Sequence, residues 1–464
     1  LPDTTIKESR DRVSSALKNS GFLPPHRFGR ITVNLAPADL PKNSPVYDVP
    51  MALGFLLATE QLSFDFRDKL FIGELSLDGK VRPVGGVLPI ALLAKKLGVA
   101  ELYVPEKNAT EAAMVRGIRI IPITSLFEVA QHLSGATTLA PAPDIDMEAM
   151  FREESFLLDM KDVRGQEHAK RALEIAAAGG HNILMSGPPG SGKTILAKTL
   201  PSILPKLNFE ESIEITKIFS IAGFLTRSNA LVTSRPFRSP HHSASAVSLV
   251  GGGSFPRPGE ISLAHRGVLF LDEFGEFSKN ILENLRQPLE DGHITVSRAK
   301  GSLHFPARFI LVAAMNPCPC GNMGDPERLC SCSPRETLRY KTRISGPIMD
   351  RIDLHIEVPR IPFEKLESPE NAETSLTIRE RVEKARDIQH KRFEGKGIFT
   401  NAEMGSALIR EVCPLNSASK VLLKQAVSTM HLSARAYYRL IKLARTIADL
   451  EAADHILPKH LAEA

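Results

Sequence analysis

The chain has no run of 18 apolar residues, and its longest apolar stretches, such as that around Val49–Ala58, are far too short to cross a bilayer as a helix. Cysteine is scarce. Five in 464 residues cannot make a disulfide framework. Four of them fall within residues 318–332, which reads as a local cluster in a reducing, cytoplasmic compartment. Charge of one sign is scarce too: 58 Lys and Arg against 53 Asp and Glu leave +5, too little by itself to argue for nucleic acid. There is no short internal repeat and no low-complexity tract, and no secretory signal opens the sequence as it stands. The chain opens on Leu1 rather than Met, and is read as a piece of a longer one.

What remains has an ordinary globular balance, 43% hydrophobic and 24% charged, with a length that suggests roughly two to four domains. Residues 3–21 read as a helix, with Thr5 and Glu8 at capping-box spacing and Gly21 able to close it. Ile31–Leu35, Leu70–Leu75, Leu102–Val104 and Ile118–Ile123 read as strands, and Met51–Ala58 and Leu88–Lys96 as helices. An α+β domain over residues 1–133 follows, then a Pro-rich linker over 134–150. Residues 151–360 alternate apolar strands (Ile183–Ser186, Val268–Leu271, Phe309–Ala313) with helical segments, the pattern of a parallel sheet wrapped by helices. Residues 361–464 are helical by pattern after a charged, Pro-containing start.

Gly187-Pro188-Pro189-Gly190-Ser191-Gly192-Lys193-Thr194 follows an apolar strand and opens a helix. That is the context of a phosphate-binding loop. Glycines let backbone N–H groups wrap phosphates, Lys193 supplies a point charge, and Thr194 offers a hydroxyl to Mg²⁺. Gly267–Glu273 (GVLFLDE) is a buried strand ending in two carboxylates, Asp272 for the metal and Glu273 to activate water. A third strand ends at Asn316, whose amide can orient that water. Taken singly, the acidic turn and the Asn have bland readings; following a P-loop, they form a nucleotide site.

These motifs, with SGPIMDRID (345–353), resemble the AAA+ ATPases. FRSPHHSASAVSLVGGG (237–253), LRQPLEDG (285–292) and LSARAYYRLIKLARTIADLE (432–451) are similar to their magnesium-chelatase-like branch, specifically the ComM/YifB group. The resemblance covers nearly the whole chain, and set against the family some residues before Leu1 and a short C-terminal tail are missing. It implies an α/β fold: a Lon-protease-like α+β domain, an AAA+ P-loop α/β core and a C-terminal helical lid. It implies ATP and Mg²⁺ as cofactors. It implies that Arg351 is an arginine finger acting on a neighbour's ATP, with Arg343 a second candidate, and that Arg435 is the sensor-2 arginine meeting the γ-phosphate from the lid. GELSLDGKVRPVGG (73–86) carries the Lon likeness. The nucleophile position falls at Asp48 and the lysine position at Leu88, so the domain is read as a fold kept without its chemistry.

Cys318, Cys320, Cys330 and Cys332 form C-x-C, nine residues, C-x-C, a set that can complete a tetrahedral zinc site or remain four reduced thiols. The resemblance implies that any zinc held there would be structural rather than catalytic. Cys413 reads as buried packing, and the His241–His242 pair as structural or exposed rather than metal-binding. No acid occurs between Glu214 and Glu260, or between Asp291 and Asp325. The second window begins with a β-hairpin whose tip bears Arg298 and Lys300, suited to a phosphate backbone, or else a subunit-packing surface. The resemblance implies a hexameric ring, a helicase on single-stranded or branched DNA read without regard to sequence. The alternatives are a chelatase-type metal-insertion motor and a protein remodeler.

Overall fold

A computed structural model describes residues 4–35, 45–145, 151, 156, 158–226, 230–253, 256–298, 301–325, 328–361 and 372–464. Helix α1 (Thr4–Asn19) buries Val13, Ala16 and Leu17, the i, i+3, i+4 face that its sequence repeats; the Thr5 side chain of the expected capping pair lies outside the described residues. It packs on α2 (Asp48–Ala58). Strand β1 (Lys69–Phe71) pairs in parallel with β4 (Glu101–Pro105), and β4 with β5 (Arg119–Ile123). The small hairpin β2–β3 (Glu74–Leu75, Val81–Arg82) stands beside this sheet, and α3 (Val87–Lys96) and α4 (Leu126–Leu133) cover it.

Three expectations for this domain are corrected. Leu70–Leu75 is two strands, broken at Ile72–Gly73, where the chain leaves one sheet for the hairpin. Ile31–Leu35 is no strand: it has no ladder partner among the described residues, and Ile31 and Val33 stay exposed. The 134–150 segment, where described, is not a free linker. Ala142 N–H donates to Ile120 O at 2.8 Å, and Ala142 and Ile145 pack against the domain core, because apolar residues amid the prolines gain more by burial than by solvation.

The second domain is built on a five-stranded parallel sheet in the order β14-β6-β13-β10-β7. Its strands are β6 (Ile183–Ser186), β7 (Phe237–Arg238), β10 (Val268–Leu271), β13 (Ile310–Met315) and β14 (Leu354–Glu357). Alternate residues face opposite layers, as the two-residue period of a strand requires. Ile183, Met185, Phe270, Val312 and Ala314 face α5 (Glu167–Gly179), α6 (Lys193–Ile203) and a lid helix. Leu184, Leu269, Leu271, Leu311 and Ala313 face the other layer. That layer contains the hairpin β8–β9 (Gly251–Gly252, Arg257–Pro258) and the long hairpin β11–β12 (His293–Arg298, Gly301–Pro306). Helix α7 (Phe209–Ala222) joins the two domains: Gly86 N–H donates to Ser220 O, Ser220 Oγ donates to Glu111, and Ala230 and Leu231 enter the first domain's core.

The C-terminal region is helical as expected, comprising α8 (Ser375–Arg392), α9 (Ser406–Val412), α10 (Ser417–Met430), α11 (Ala434–Leu450) and α12 (Pro458–Glu463). Helices α8 and α11 both pack on α5, under the sheet. Cys413 is buried in the lid core, as read from the sequence, and burial pushes its thiol up to about 11.

Candidate functional site

The P-loop leaves β6 and enters α6 with Gly190 and Gly192 at φ +78° and +90°, open space standing where a Cβ would project. No side chain caps the N-terminus of α6. The first-turn N–H groups and the helix dipole are therefore available to an anion. Lys193 is buried, and its Nζ donates to the carbonyls of Gly187 (2.6 Å) and Pro188 (2.9 Å), acceptors that phosphate oxygens can replace. Burial pushes this ammonium below its usual value, with Asp272 acting in the opposite direction. Thr194 Oγ1 donates to Asp272 Oδ2 at 2.9 Å, so the two residues expected at Mg²⁺ already meet. The cradle, the cation and the hydroxyl–carboxylate pair fit ATP with Mg²⁺.

Asp272 and Glu273 follow β10, and Asn316 follows β13, where Met315 is in register with Ser186. The strand tips thus bring Asp272, Glu273 and Asn316 to the edge that bears the P-loop. Glu273 adopts φ +52°, uncommon for a residue with a Cβ, and its N–H donates to Asp272 Oδ1 at 2.9 Å. Its carboxylate is 2.8 Å from His242 Nδ1. Nothing in the sequence motifs points to this contact. The contact depends on β7 lying parallel beside β10, with Phe237 paired to Val268 and Arg238 to Leu269, so that both segments leave the sheet at the same edge. His241 stacks on His242, with ring centroids 4.1 Å apart.

The four cysteines converge. Cys318 Sγ lies 3.4 Å from Cys320 Sγ and 3.7 Å from Cys330 Sγ, Cys320 and Cys330 are 3.6 Å apart, and Cys320 N–H donates to Cys332 Sγ. All four sulfurs lie within 4.8 Å of one another. Tetrahedral zinc at Zn–S of about 2.3 Å needs sulfurs roughly 3.8 Å apart, so the set can hold such an ion. Backbone N–H groups of Asn322 and Ser331 hold the Cys320 thiol well below its ordinary range. A Cβ at Gly321 would lie 2.6 Å from Pro189 Cδ, which places this loop directly against the P-loop.

Arg351 and Arg435 are elsewhere. Asn182, at the start of β6, donates through Nδ2 to Arg351 O at 3.0 Å, while the P-loop leaves the far end of the same strand. Arg435 NH1 lies 3.5 Å from Asp350 Oδ2. Both arginines line a cleft of about 1020 Å³ that contains no P-loop residue. Arg435 therefore does not overhang the P-loop of its own chain, because α11 packs against the opposite end of the sheet. Arg351 is folded against Glu290 and the Pro347 carbonyl, and Arg343 is held by both oxygens of Glu276.

The hairpin forms as expected, with Arg298 paired to Gly301 in the backbone register; the Arg298 side chain and all of Lys300 lie outside the described residues. The acid-free windows are less bare in space than in sequence. Arg235 pairs with Glu211, Arg238 with Glu260 and Arg308 with Glu403. In the first domain Asp48 is fully buried, held by Arg12 Nε at 2.8 Å and by Leu75 N–H, and Leu88 is core.

Models of known families match in three blocks: Magnesium chelatase, subunit ChlI over residues 159–366, Subunit ChlI of Mg-chelatase over 1–108, and Magnesium chelatase, subunit ChlI C-terminal over 372–464. Competence protein ComM of Haemophilus influenzae is 47% identical over 469 residues, spanning 100% of this chain and 90% of that protein. Uncharacterized protein YifB of Escherichia coli is 45% identical over 469 residues, spanning 100% and 89%. Lon protease 2 of Bacillus subtilis is 30% identical over 128 residues, 27% of this chain and 22% of that protein, in keeping with the Lon-like first domain. A likeness that runs the full length, through both domains and the lid, places the chain in one family: it belongs to the ComM/YifB group of magnesium-chelatase-like AAA+ ATPases.

Proposed function

We propose that this ATPase works as a ring, most simply a hexamer, that moves along single-stranded or branched DNA and promotes branch migration during recombination of incoming DNA. Bound ATP with Mg²⁺ supplies the phosphoryl group whose transfer to water drives the cycle. Lys193 and the loop N–H groups hold the phosphates, Thr194 and Asp272 hold the ion, and Glu273 takes the proton of a water that Asn316 orients. Arg351 and Arg435, remote from their own P-loop, serve the neighbour's. Full-length likeness to a protein named for competence supports the DNA reading over metal insertion.

The observation that carries the DNA contact is the β11–β12 hairpin. Its strands pair with each other and with no other described strand. Ile294, Val296 and Phe305 anchor its base in the core, while Ser297, Ser302 and Leu303 toward the tip are exposed. A ribbon anchored at one end and polar at the other can enter a ring's pore. In the Arg298→Ala/Lys300→Ala variant, DNA affinity should fall about equally for unrelated sequences. The log–log salt slope should flatten by about 1.4 per hairpin engaged, from two lost contacts to single strands. Basal ATPase should survive while DNA stimulation and unwinding are lost. Unchanged affinity and slope in an assembled ring would move the contact elsewhere.

The cysteine cluster, on this reading, takes a structural zinc ion that braces the loop behind Pro189. Elemental analysis should find close to one zinc per chain, lost in a Cys320→Ser/Cys330→Ser variant. Purification without zinc from zinc-supplemented cells would leave the cluster as four thiols.

A further inference from the structure

Helix α11 carries Arg435, Arg439, Lys442 and Thr446 at spacings of four, three and four residues, which sets them on one face. That face runs along the segment Met349–Asp353. Arg435 reaches Asp350. Arg439 NH1 donates to Ile352 O at 2.6 Å and to Met349 O at 3.3 Å. Lys442 and Asp353 feel each other's charge. Thr446 Oγ1 is 2.8 Å from Nε2 of the fully buried His181, whose Nδ1 is 3.2 Å from Asp353 Oδ2. The fit at this last contact is close: a Cβ on Gly179 would lie 2.2 Å from His181 Nε2 and 2.5 Å from Thr446 Oγ1.

The sheet holds the same segment from the other side. Asn182 donates through Nδ2 to Arg351 O, and its own carbonyl accepts from the N–H groups of Asp353 and Leu354 at 3.0 Å each. The main chain on both sides of Arg351 is therefore fixed. The Arg351 side chain has few contacts of its own: its Nε is buried with no hydrogen-bond partner among the described residues, and its guanidinium meets one carboxylate, Glu290, and one carbonyl. A fixed backbone under a side chain with few partners is suited to delivering that side chain to a group outside the chain.

We propose that Arg439 is a positioning residue. It clamps the carbonyls of Met349 and Ile352, so that Arg351 is presented to the phosphates of a nucleotide on the neighbouring subunit. Its guanidinium also supplies positive charge at the C-terminal end of the short helix Gly346–Met349. Lid helix and finger segment then move as one body. This rests on the reading that Arg351 acts across the interface.

The test is a double-mutant cycle on the assembled protein with ATP as substrate. Arg439→Ala should lower kcat about 10–100-fold, the effect of misplacing a reacting group by about an ångström. The KM for ATP and nucleotide binding should be unchanged, since the P-loop is at the other end of the sheet. Arg439→Lys, which can still reach one carbonyl, should recover part of the loss. Arg351→Ala/Arg439→Ala should be no slower than Arg351→Ala alone. If the two losses multiply, or if Arg439→Ala turns over like wild type while Arg351→Ala is slow, the positioning role is wrong and the cross-interface reading stands. If Arg351→Ala itself is unimpaired, both fall. Should Arg439→Ala fail to fold, Thr446→Val removes the hydroxyl facing His181 at nearly constant shape, and a fall in kcat that disappears in the Arg351→Ala background is expected. Wild-type kcat in Thr446→Val would then overturn the proposal.

Discussion

Glu273→Gln should bind ATP as the wild type does and hydrolyse it about 10²–10⁴-fold more slowly, the usual contribution of a positioned general base. The amide keeps the shape of the carboxylate but cannot accept the proton of the attacking water. Nothing that holds nucleotide is touched: the Lys193 cradle and the Thr194–Asp272 pair stand apart from the Glu273 side chain, and the Glu273 N–H that fixes Asp272 is retained. Lys193→Ala should give the complementary result, weak binding, because it removes the one buried cation in the loop. Titration with a fluorescent nucleotide and phosphate-release kinetics on the same samples separate the two. Wild-type turnover in Glu273→Gln would show that another group activates the water. His242 would be the first to examine, since it is within a hydrogen bond of the same carboxylate.

Arg351→Ala should cost on the order of 10³-fold in turnover, the lower end of what an arginine finger supplies. The loss should be repairable by a partner that is itself dead. A subunit with Lys193→Ala has an intact Arg351 and a ruined P-loop; a subunit with Arg351→Ala has the reverse. In an equal random mixture about one interface in four joins the sound halves, and activity should return to roughly that fraction of wild type. Mixtures as inactive as their parents, with co-assembly verified, would show that Arg351 does not act between subunits. The position of Arg351 favours repair: it lies by the N-terminal end of β6, and the P-loop by the C-terminal end. A four-residue strand separates them by about 13 Å, more than the side chain can cover while its backbone stays clamped.

The parts legible in the sequence were those in which backbone chemistry dictates residue type. The P-loop needs its glycines and lysine in order, and a strand buried on both faces must be apolar along its length, as Val268–Leu271 and Ile310–Met315 are. Features that depend on pairing between distant segments were harder to read. His242 meets Glu273 only because β7 lies in a particular register beside β10. The acid-free window over 215–259 suggested exposed positive charge, yet Glu211 and Glu260, just outside it in sequence, fold onto Arg235 and Arg238. Arg435 was recognisable as a residue, but its placement depends on where the lid docks. Ile31–Leu35 has the β-branched composition of a strand but, among the described residues, no neighbour that would make it one.

If Arg351 acts on a neighbour's nucleotide, the separation of P-loop and arginines across one sheet also constrains how copies of this chain would join. A contact that sets one subunit's arginines against the next subunit's phosphates is heterologous: each subunit offers a different patch on either side, and association propagates head to tail until rotation closes it. In a closed assembly every nucleotide site is complete. An open or spiral assembly always keeps one site with no arginine opposite and one arginine pair facing solvent, whatever its length. Break a single interface and one terminal site loses its catalytic partner while the others continue, so the seam of an open ring is also the place where ATP can wait.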